Sequence, residues 1–257
     1  GPVAALYDLA GRLTRAGKHP QRCQAKVICV GNLVAGGAGK TPVSLALAAL
    51  LDDAGIAFLT RGYGGRETGP LRVDTNGHTA RDVGDEALLL ARAAPTWVAR
   101  NRPAGARAAV TSGARTIIMD DGFQNPSLHK DISLVVVDGA TGFGNGRVMP
   151  AGPLRETVPD GLARADAIVI VGADPAGIAA GLTNPIPVFQ GQLVTGPEST
   201  SLAGRRVLTF AGIGRPQKFF DTLRNMGCEI VVFRDSAAPE IYTPEQIMKL
   251  CEDAAAL

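Results

Sequence analysis

Cysteine, aromatic side chains, net charge and long apolar runs are all scarce in this chain of 257 residues, and each shortage excludes something. The four cysteines, Cys23, Cys29, Cys228 and Cys251, lie far apart and form no Cys-x-x-Cys pair. Neither a zinc site nor a disulfide framework is expected, and a reducing, cytosolic compartment fits. His19, His78 and His129 have no metal-ligand spacing either. The 26 basic and 24 acidic residues leave a net charge of only +2, so no global field draws the protein to nucleic acid, which is not expected as a partner. No stretch approaches the roughly 18 to 20 apolar residues that span a bilayer, and Gly1 to Gly17 does not follow the order of a signal peptide.

What is present is apolar residues at 46%, together with 32 glycines and 17 prolines, a balance that suits an enzyme of short strands, helices and tight loops. Apolar, β-branched runs at Lys26 to Val30, Ala57 to Leu59, Thr116 to Met119, Leu134 to Val137, Ala167 to Val171, Val207 to Phe210 and Ile230 to Phe233 predict strands. Amphipathic patterns predict helices over Pro42 to Asp53, Gly84 to Ala93 and Pro216 to Met226. The alternation predicts an α/β fold, a doubly wound parallel sheet of the P-loop NTPase-like kind with a second, smaller α/β lobe. The Gly- and Pro-dense segment Gly139 to Pro159 reads as a functional loop closing the first lobe, which places the lobes at 1–162 and 163–257. Val3 to Leu13 reads as a short amphipathic helix followed by Arg15 and Lys18, suited either to an ordinary surface or to interfacial contact with a membrane.

The first predicted strand runs into Gly31-Asn32-Leu33-Val34-Ala35-Gly36-Gly37-Ala38-Gly39-Lys40-Thr41-Pro42, and a helix follows at once. Gly36, Gly37, Ala38 and Gly39 can turn backbone N–H groups around phosphate oxygens, Lys40 can reach the β/γ-phosphates of ATP, and Thr41 can offer its hydroxyl to Mg²⁺. Val34 occupies the place of the first glycine in the GxxxxGK[ST] pattern. The strand Thr116 to Met119 ends in Asp120-Asp121-Gly122, where a P-loop protein puts the carboxylate that meets Mg²⁺ opposite the threonine; either aspartate can serve.

Seven motifs are more particular: GNLVAGGAGKTP at Gly31 to Pro42, RGYGG at Arg61 to Gly65, GDE at Gly84 to Glu86, DDGFQ at Asp120 to Gln124, FGNG at Phe143 to Gly146, PAGPLRE at Pro150 to Glu156 and FAGIGRP at Phe210 to Pro216. In this order and at these intervals they resemble the tetraacyldisaccharide 4'-kinase family. The resemblance implies transfer of the ATP γ-phosphate to the 4'-hydroxyl of an acylated glucosamine disaccharide 1-phosphate, a step of lipid A biosynthesis. It also implies a peripheral position at the cytoplasmic face of the bacterial inner membrane. It implies Asp85 as the base, Lys40 and Arg155 as the groups stabilising the transferring phosphate, and Glu86 and Glu156 beside Thr41, Asp120 and Asp121 around Mg²⁺. Arg61, Tyr63 and Arg102 are implied at the disaccharide phosphate, where a guanidinium can donate to two oxygens at once. Read on its own, Asp85 could equally stabilise the start of a helix.

The chain departs from the family pattern between Phe233 and Pro244, which holds no histidine where the family has an Asp-His-His segment. Asn125 stands where many relatives have histidine, and the family's Thr-x-Lys-Asp motif is missing before Leu257, an apparent truncation of the smaller lobe. Two other readings follow: a catalytically impaired nucleotide- and lipid-binding homologue, or another P-loop ATPase.

Overall fold

Both faces of a parallel sheet must be covered, and the first strands already carry apolar residues on both sides. In the computed structural model, which describes residues 2–17, 19–175, 177–182, 185–211, 216–235 and 244–255, the chain divides into two compact units, Gly1–Leu193 and Val194–Leu257.

The first unit carries strands β1 (Lys26–Gly31), β2 (Ile56–Thr60), β3 (Leu71–Arg72), β4 (Thr96–Val98), β5 (Thr116–Asp120), β6 (Ile132–Asp138), β7 (Ala167–Val171) and β8 (Val188–Gly191). They form one eight-stranded sheet in the order β3-β4-β2-β5-β1-β6-β7-β8. Every pairing is parallel except β3 with β4. Side chains alternate strictly between two cores. Cys29, Leu59, Ile117, Met119, Val135 and Val137 face one side, while Val30, Phe58, Ile118 and Val136 face the other.

The helices of this unit are α1 (Pro2–Ala16), α2 (Lys40–Leu51), α3 (Ala80–Val83), α4 (Asp85–Ala91), α5 (Arg102–Thr111) and α6 (Val158–Leu162). The helix expected from Gly84 to Ala93 is α4, and a separate short helix, α3, precedes it; Gly84 sits between the two at φ 88° and breaks the helical path. Glycine is required there for a second reason: a Cβ would collide with the carbonyl oxygen of Tyr63. The RGYGG loop is thereby laid directly on the turn that begins α4.

The boundary expected at 162/163 is corrected to Leu193/Val194. Strand β7 pairs with β6 from Leu134↔Ala167 to Asp138↔Val171, so it continues the first sheet. The loop from Gly139 to Pro159 does not end a lobe; it folds back onto the phosphate loop. Ala35 N–H donates to the Pro153 carbonyl (2.7 Å), Arg155 N–H donates to the Leu33 carbonyl (2.7 Å), and Val34 bridges Leu154 in antiparallel fashion.

The second unit holds parallel strands β9 (Arg206–Ala211) and β10 (Glu229–Asp235) with helices α7 (Pro216–Asn225) and α8 (Pro244–Ala255). Phe220, Leu223, Cys228 and Leu250 form its buried interior. The histidine-free stretch of the sequence falls largely at 236–243, and part of the seventh motif falls at 212–215; both lie outside the described residues.

Candidate active site

In an open parallel sheet the strand ends converge where one set of connections leaves on each side, and ligands bind at the carboxyl ends there. Strand β1 lies between β5 and β6, with β2 one place further on. The loop after β1, the acidic turn after β5 and the arginine after β2 are therefore neighbours before any side chain is considered.

The loop after β1 enters α2 through Gly39 at φ 90°, a left-handed conformation open to glycine at little cost. A Cβ at Gly36 or Gly37 would meet nothing within 4 Å, so the space above the loop is open. Lys40, Thr41 and Ser44 occupy the first turn and a half of α2 and are all buried. Lys40 Nζ lies 3.5 Å from the Gly36 carbonyl oxygen and 3.8 Å from Asp121 Oδ1. The ammonium is thus folded back over the loop, where a phosphate would meet it.

Asp120 closes β5 at 0% exposure. Its Oδ2 accepts from the Thr41 hydroxyl at 3.1 Å and its Oδ1 from the Ser44 hydroxyl at 2.8 Å. Burial pushes the Asp120 carboxyl above its ordinary pKa, an effect opposed by the two hydroxyls and by Lys40. Asp121, next in the chain, takes φ 50° and turns its carboxylate the other way. Arg155 grips it with Nη1 to Oδ1 at 2.8 Å and Nη2 to Oδ2 at 3.4 Å. Glu86 projects from α4; although its outer atoms reach solvent, partial desolvation raises its carboxyl, with Asp120 adding to the rise and Lys40 opposing it. Asp85 is the first residue of α4 and exposed, with Oδ1 accepting from the Glu86 N–H at 2.9 Å.

Glu156 follows Arg155 and is fully buried. Arg164 Nη2 reaches both of its oxygens, at 2.9 and 2.8 Å, and Gln124 Nε2 donates to Oε1 at 3.2 Å. Among the described residues, no three His, Cys, Asp or Glu side chains cluster tightly enough to cage a metal ion. A magnesium nucleotide asks for less, since one or two carboxylates suffice when phosphates and waters complete the shell. The Thr41 hydroxyl and the Asp120 carboxylate are hard oxygen donors in contact, and that pair fits Mg²⁺.

Arg61 is exposed just past β2, and Arg102 is buried at 3% exposure at the start of α5. Arg102 Nη1 donates to the Ala99 carbonyl at 2.6 Å, while its buried Nε has no hydrogen-bond partner. Desolvation and then the charge of Arg61 push the Arg102 guanidinium down to about 10. Tyr63 points outward at 81% exposure on the RGYGG loop.

The structure therefore joins Lys40, Thr41, Asp120, Asp121 and Arg155 by direct contacts, with Glu86 and Arg102 coupled to them through charge and Arg61 coupled to Arg102. Ser44, Gln124 and Arg164 also take part and were missed in the sequence. Ser44 had a signal, one helical turn after Lys40; Gln124 is uncharged and Arg164 lies outside every motif.

A sequence profile of the family described as Tetraacyldisaccharide-1-P 4'-kinase matches residues 1–257. The chain is 53% identical over 259 residues to the tetraacyldisaccharide 4'-kinase of Rhodospirillum centenum, covering 100% of this chain and 77% of that protein. It is 53% identical over 258 residues to the enzyme of the same name from Paramagnetospirillum magneticum, covering 99% and 79%. Among solved structures, the "apo" form of LpxK from Aquifex aeolicus in complex with ATP superposes with a TM-score of 0.78 at 27% identity, covering 95% of this chain and 84% of that one.

Proposed function

The chain belongs to the tetraacyldisaccharide 4'-kinase family, and from that premise we propose that it binds ATP with Mg²⁺ and passes the γ-phosphate to the 4'-hydroxyl of an acylated glucosamine disaccharide 1-phosphate. The observation that carries this reading is the contact of Thr41 with Asp120 beside the Lys40 ammonium. It joins a phosphate cradle to an oxygen-donor pair suited to magnesium.

In this reading the backbone after Val34 and the start of α2 hold the β- and γ-phosphates, and Lys40 neutralises them. Thr41 and Asp120 would hold Mg²⁺, which supplies neutralisation of the phosphate charge. Asp121 draws Lys40 and Arg155 to one carboxylate oxygen, Oδ1, so both cations reach the same region. Phosphoryl transfer has little covalent work for a protein to do, and placing two fixed cations where charge accumulates is most of it. Asp85, exposed at the lip of α4, would take the proton of the attacking hydroxyl, and Glu86 would add negative charge near the metal pair. Arg61 and Arg102, two like charges held near each other, suit the dianionic phosphate of the disaccharide; Tyr63 offers an outward ring and hydroxyl for the sugar.

A peripheral position at the cytoplasmic face of the inner membrane fits α1. Val3, Leu6, Leu9 and Leu13 are all at least half exposed, while Arg12 is tied to Asp8 and to Asp160 of α6. No described helix is long and apolar enough to cross a membrane.

The test is transfer from γ-labelled ATP to tetraacyldisaccharide 1-phosphate in mixed micelles, with lipid-free hydrolysis measured beside it. Labelled bisphosphorylated lipid is expected from this chain and not from Asp85→Ala. Nucleotide binding without labelled lipid would identify an impaired homologue, and hydrolysis indifferent to lipid would identify an ATPase; either outcome rejects the proposal. Equal lipid product from Asp85→Ala would remove Asp85 as the base.

A further inference from the structure

A buried carboxylate without a cation is among the costliest groups a protein can hold, and the way its charge is matched decides what its neighbours do. Glu156 is a fully buried carboxylate that has its cation: Arg164, which lies beyond α6, outside the phosphate loop, the acidic turn and the strap that carries Arg155. Arg164 is itself held in place. Its Nη1 donates to the Asp160 carbonyl at 3.0 Å, and its guanidinium carbon stands 5.0 Å from the centre of the Phe123 ring, within the acidic turn.

From Glu156 a bonded path leads into the site. Gln124 Nε2 donates to Glu156 Oε1 at 3.2 Å and to the Asn32 carbonyl at 2.8 Å, at the root of the phosphate loop. Both partners accept only, so they fix which end of the amide faces them. The other end, Oε1, must then face a donor, and it accepts from Arg155 Nη1 at 3.2 Å. The same Nη1 bonds Asp121 Oδ1 at 2.8 Å, and that oxygen is the one 3.8 Å from Lys40 Nζ. One amide thus joins the phosphate loop, the acidic turn and the strap.

We infer that Arg164 is a positioning residue for phosphoryl transfer: by neutralising Glu156 it fixes the amide of Gln124, which aims the Arg155 guanidinium at the transferring phosphate. This rests on the kinase reading above and assigns Glu156 to holding the strap in place of binding Mg²⁺. With Arg164 removed, the Glu156 carboxylate loses its cation and pulls on the Gln124 amide, and the fork of Arg155 loses its fixed direction. An ångström of misplacement at such a group costs on the order of 10²-fold in rate.

The test is the steady-state transfer assay on the wild-type chain, Arg164→Ala, Arg164→Lys, Arg155→Ala and the double variant Arg155→Ala/Arg164→Ala, with a thermal melt of each. Arg164→Ala is expected to lower kcat by roughly 30- to 100-fold while KM for ATP stays within about 3-fold, and Arg164→Lys to recover most of the loss. In the Arg155→Ala background, removing Arg164 is expected to change kcat by less than about 2-fold, since the group it aims is gone. The same fold-loss in both backgrounds, or wild-type kcat in Arg164→Ala, would overturn the inference. If Arg164→Ala gives no cooperative melt, the same comparison is made with Arg164→Lys, where kcat loss confined to the background that keeps Arg155 supports the inference and equal loss overturns it. Absence of transfer by the wild-type chain would instead reject the kinase reading itself.

Discussion

Thr41 and Asp120 are 79 positions apart in the chain, and the Thr41 hydroxyl donates to the Asp120 carboxylate at 3.1 Å. The contact follows from sheet order: β1 and β5 pair in parallel from Lys26↔Thr116 to Val30↔Asp120, so both carboxyl ends finish level. Asp120 ends β5, and the phosphate loop that leaves β1 turns back through Gly39 so that Thr41, in the first turn of α2, meets it.

Asp120 is expected to be dispensable for folding but not for transfer. Burial raises its pKa, and Ser44, Thr41 and Lys40 hold its charge, so Asp120→Asn removes a desolvated charge while keeping the shape. The melting temperature should hold or rise, and kcat should fall by about 10²-fold or more, measured by differential scanning calorimetry and the transfer assay.

Magnesium nucleotide binding should release protons as pH falls into the range where the raised carboxyls titrate. The folded pKa values of Asp120 and Glu86 both lie above their ordinary ones, so in the free protein each carboxyl takes up its proton at a higher pH than an ordinary carboxyl does. The sign for stability is the reverse of a salt-bridged acid: the cost of the charged forms is present above the raised pKa values and is relieved as pH falls through them. Calorimetric titrations in buffers of different ionisation enthalpy should show proton release on binding near the raised values and none at pH 8.

Arg102 should matter for the acceptor and little for stability. Burial and the charge of Arg61 already depress its guanidinium to about 10, so the cation is held at a cost that a phosphate would offset. Arg102→Met is expected to shift the melting temperature by no more than about 3 °C, while KM for the disaccharide rises by about 10-fold and KM for ATP stays within about 2-fold. Equal effects on both substrates would place Arg102 elsewhere in the reaction.

The outer face of α1 should set membrane attachment alone. Leu6→Asp combined with Leu13→Asp changes two side chains exposed at 66% and 65%. Sedimentation with anionic vesicles should fall by about 10-fold or more, with kcat on detergent-dispersed substrate unchanged.

Much of this site was legible in the sequence because its parts are local. The loop before α2 and the acidic end of β5 are each read from a few consecutive residues, and sheet order brings them together. Strand β8 was not legible: its residues Val188, Phe189 and Gln190 are exposed, so no buried alternation marks it. The edge strand β3 and its neighbour β4, of two and three residues, are too short to show a period. The unit boundary was misplaced for a physical reason as well. Glycine and proline in Gly139 to Pro159 signal a break in regular structure, but carry no trace of the bonds from Ala35 to Pro153 and from Arg155 to Leu33 that tie the segment down. The bonds of Gln124 to Asn32, Arg155 and Glu156 span 92, 31 and 32 positions, and nothing local announces such contacts.

The claim on which everything else depends is that Lys40 and the Thr41–Asp120 pair grip one magnesium nucleotide. It is tested most directly by calorimetric titration of the chain with ATP, in excess Mg²⁺ and in excess chelator, for the wild type and for Thr41→Val. The account predicts that chelation weakens wild-type binding by about 10-fold or more, and that Thr41→Val binds equally weakly with and without the metal. ATP affinity in the wild type that ignores magnesium, or a magnesium dependence that survives intact in Thr41→Val, would contradict it.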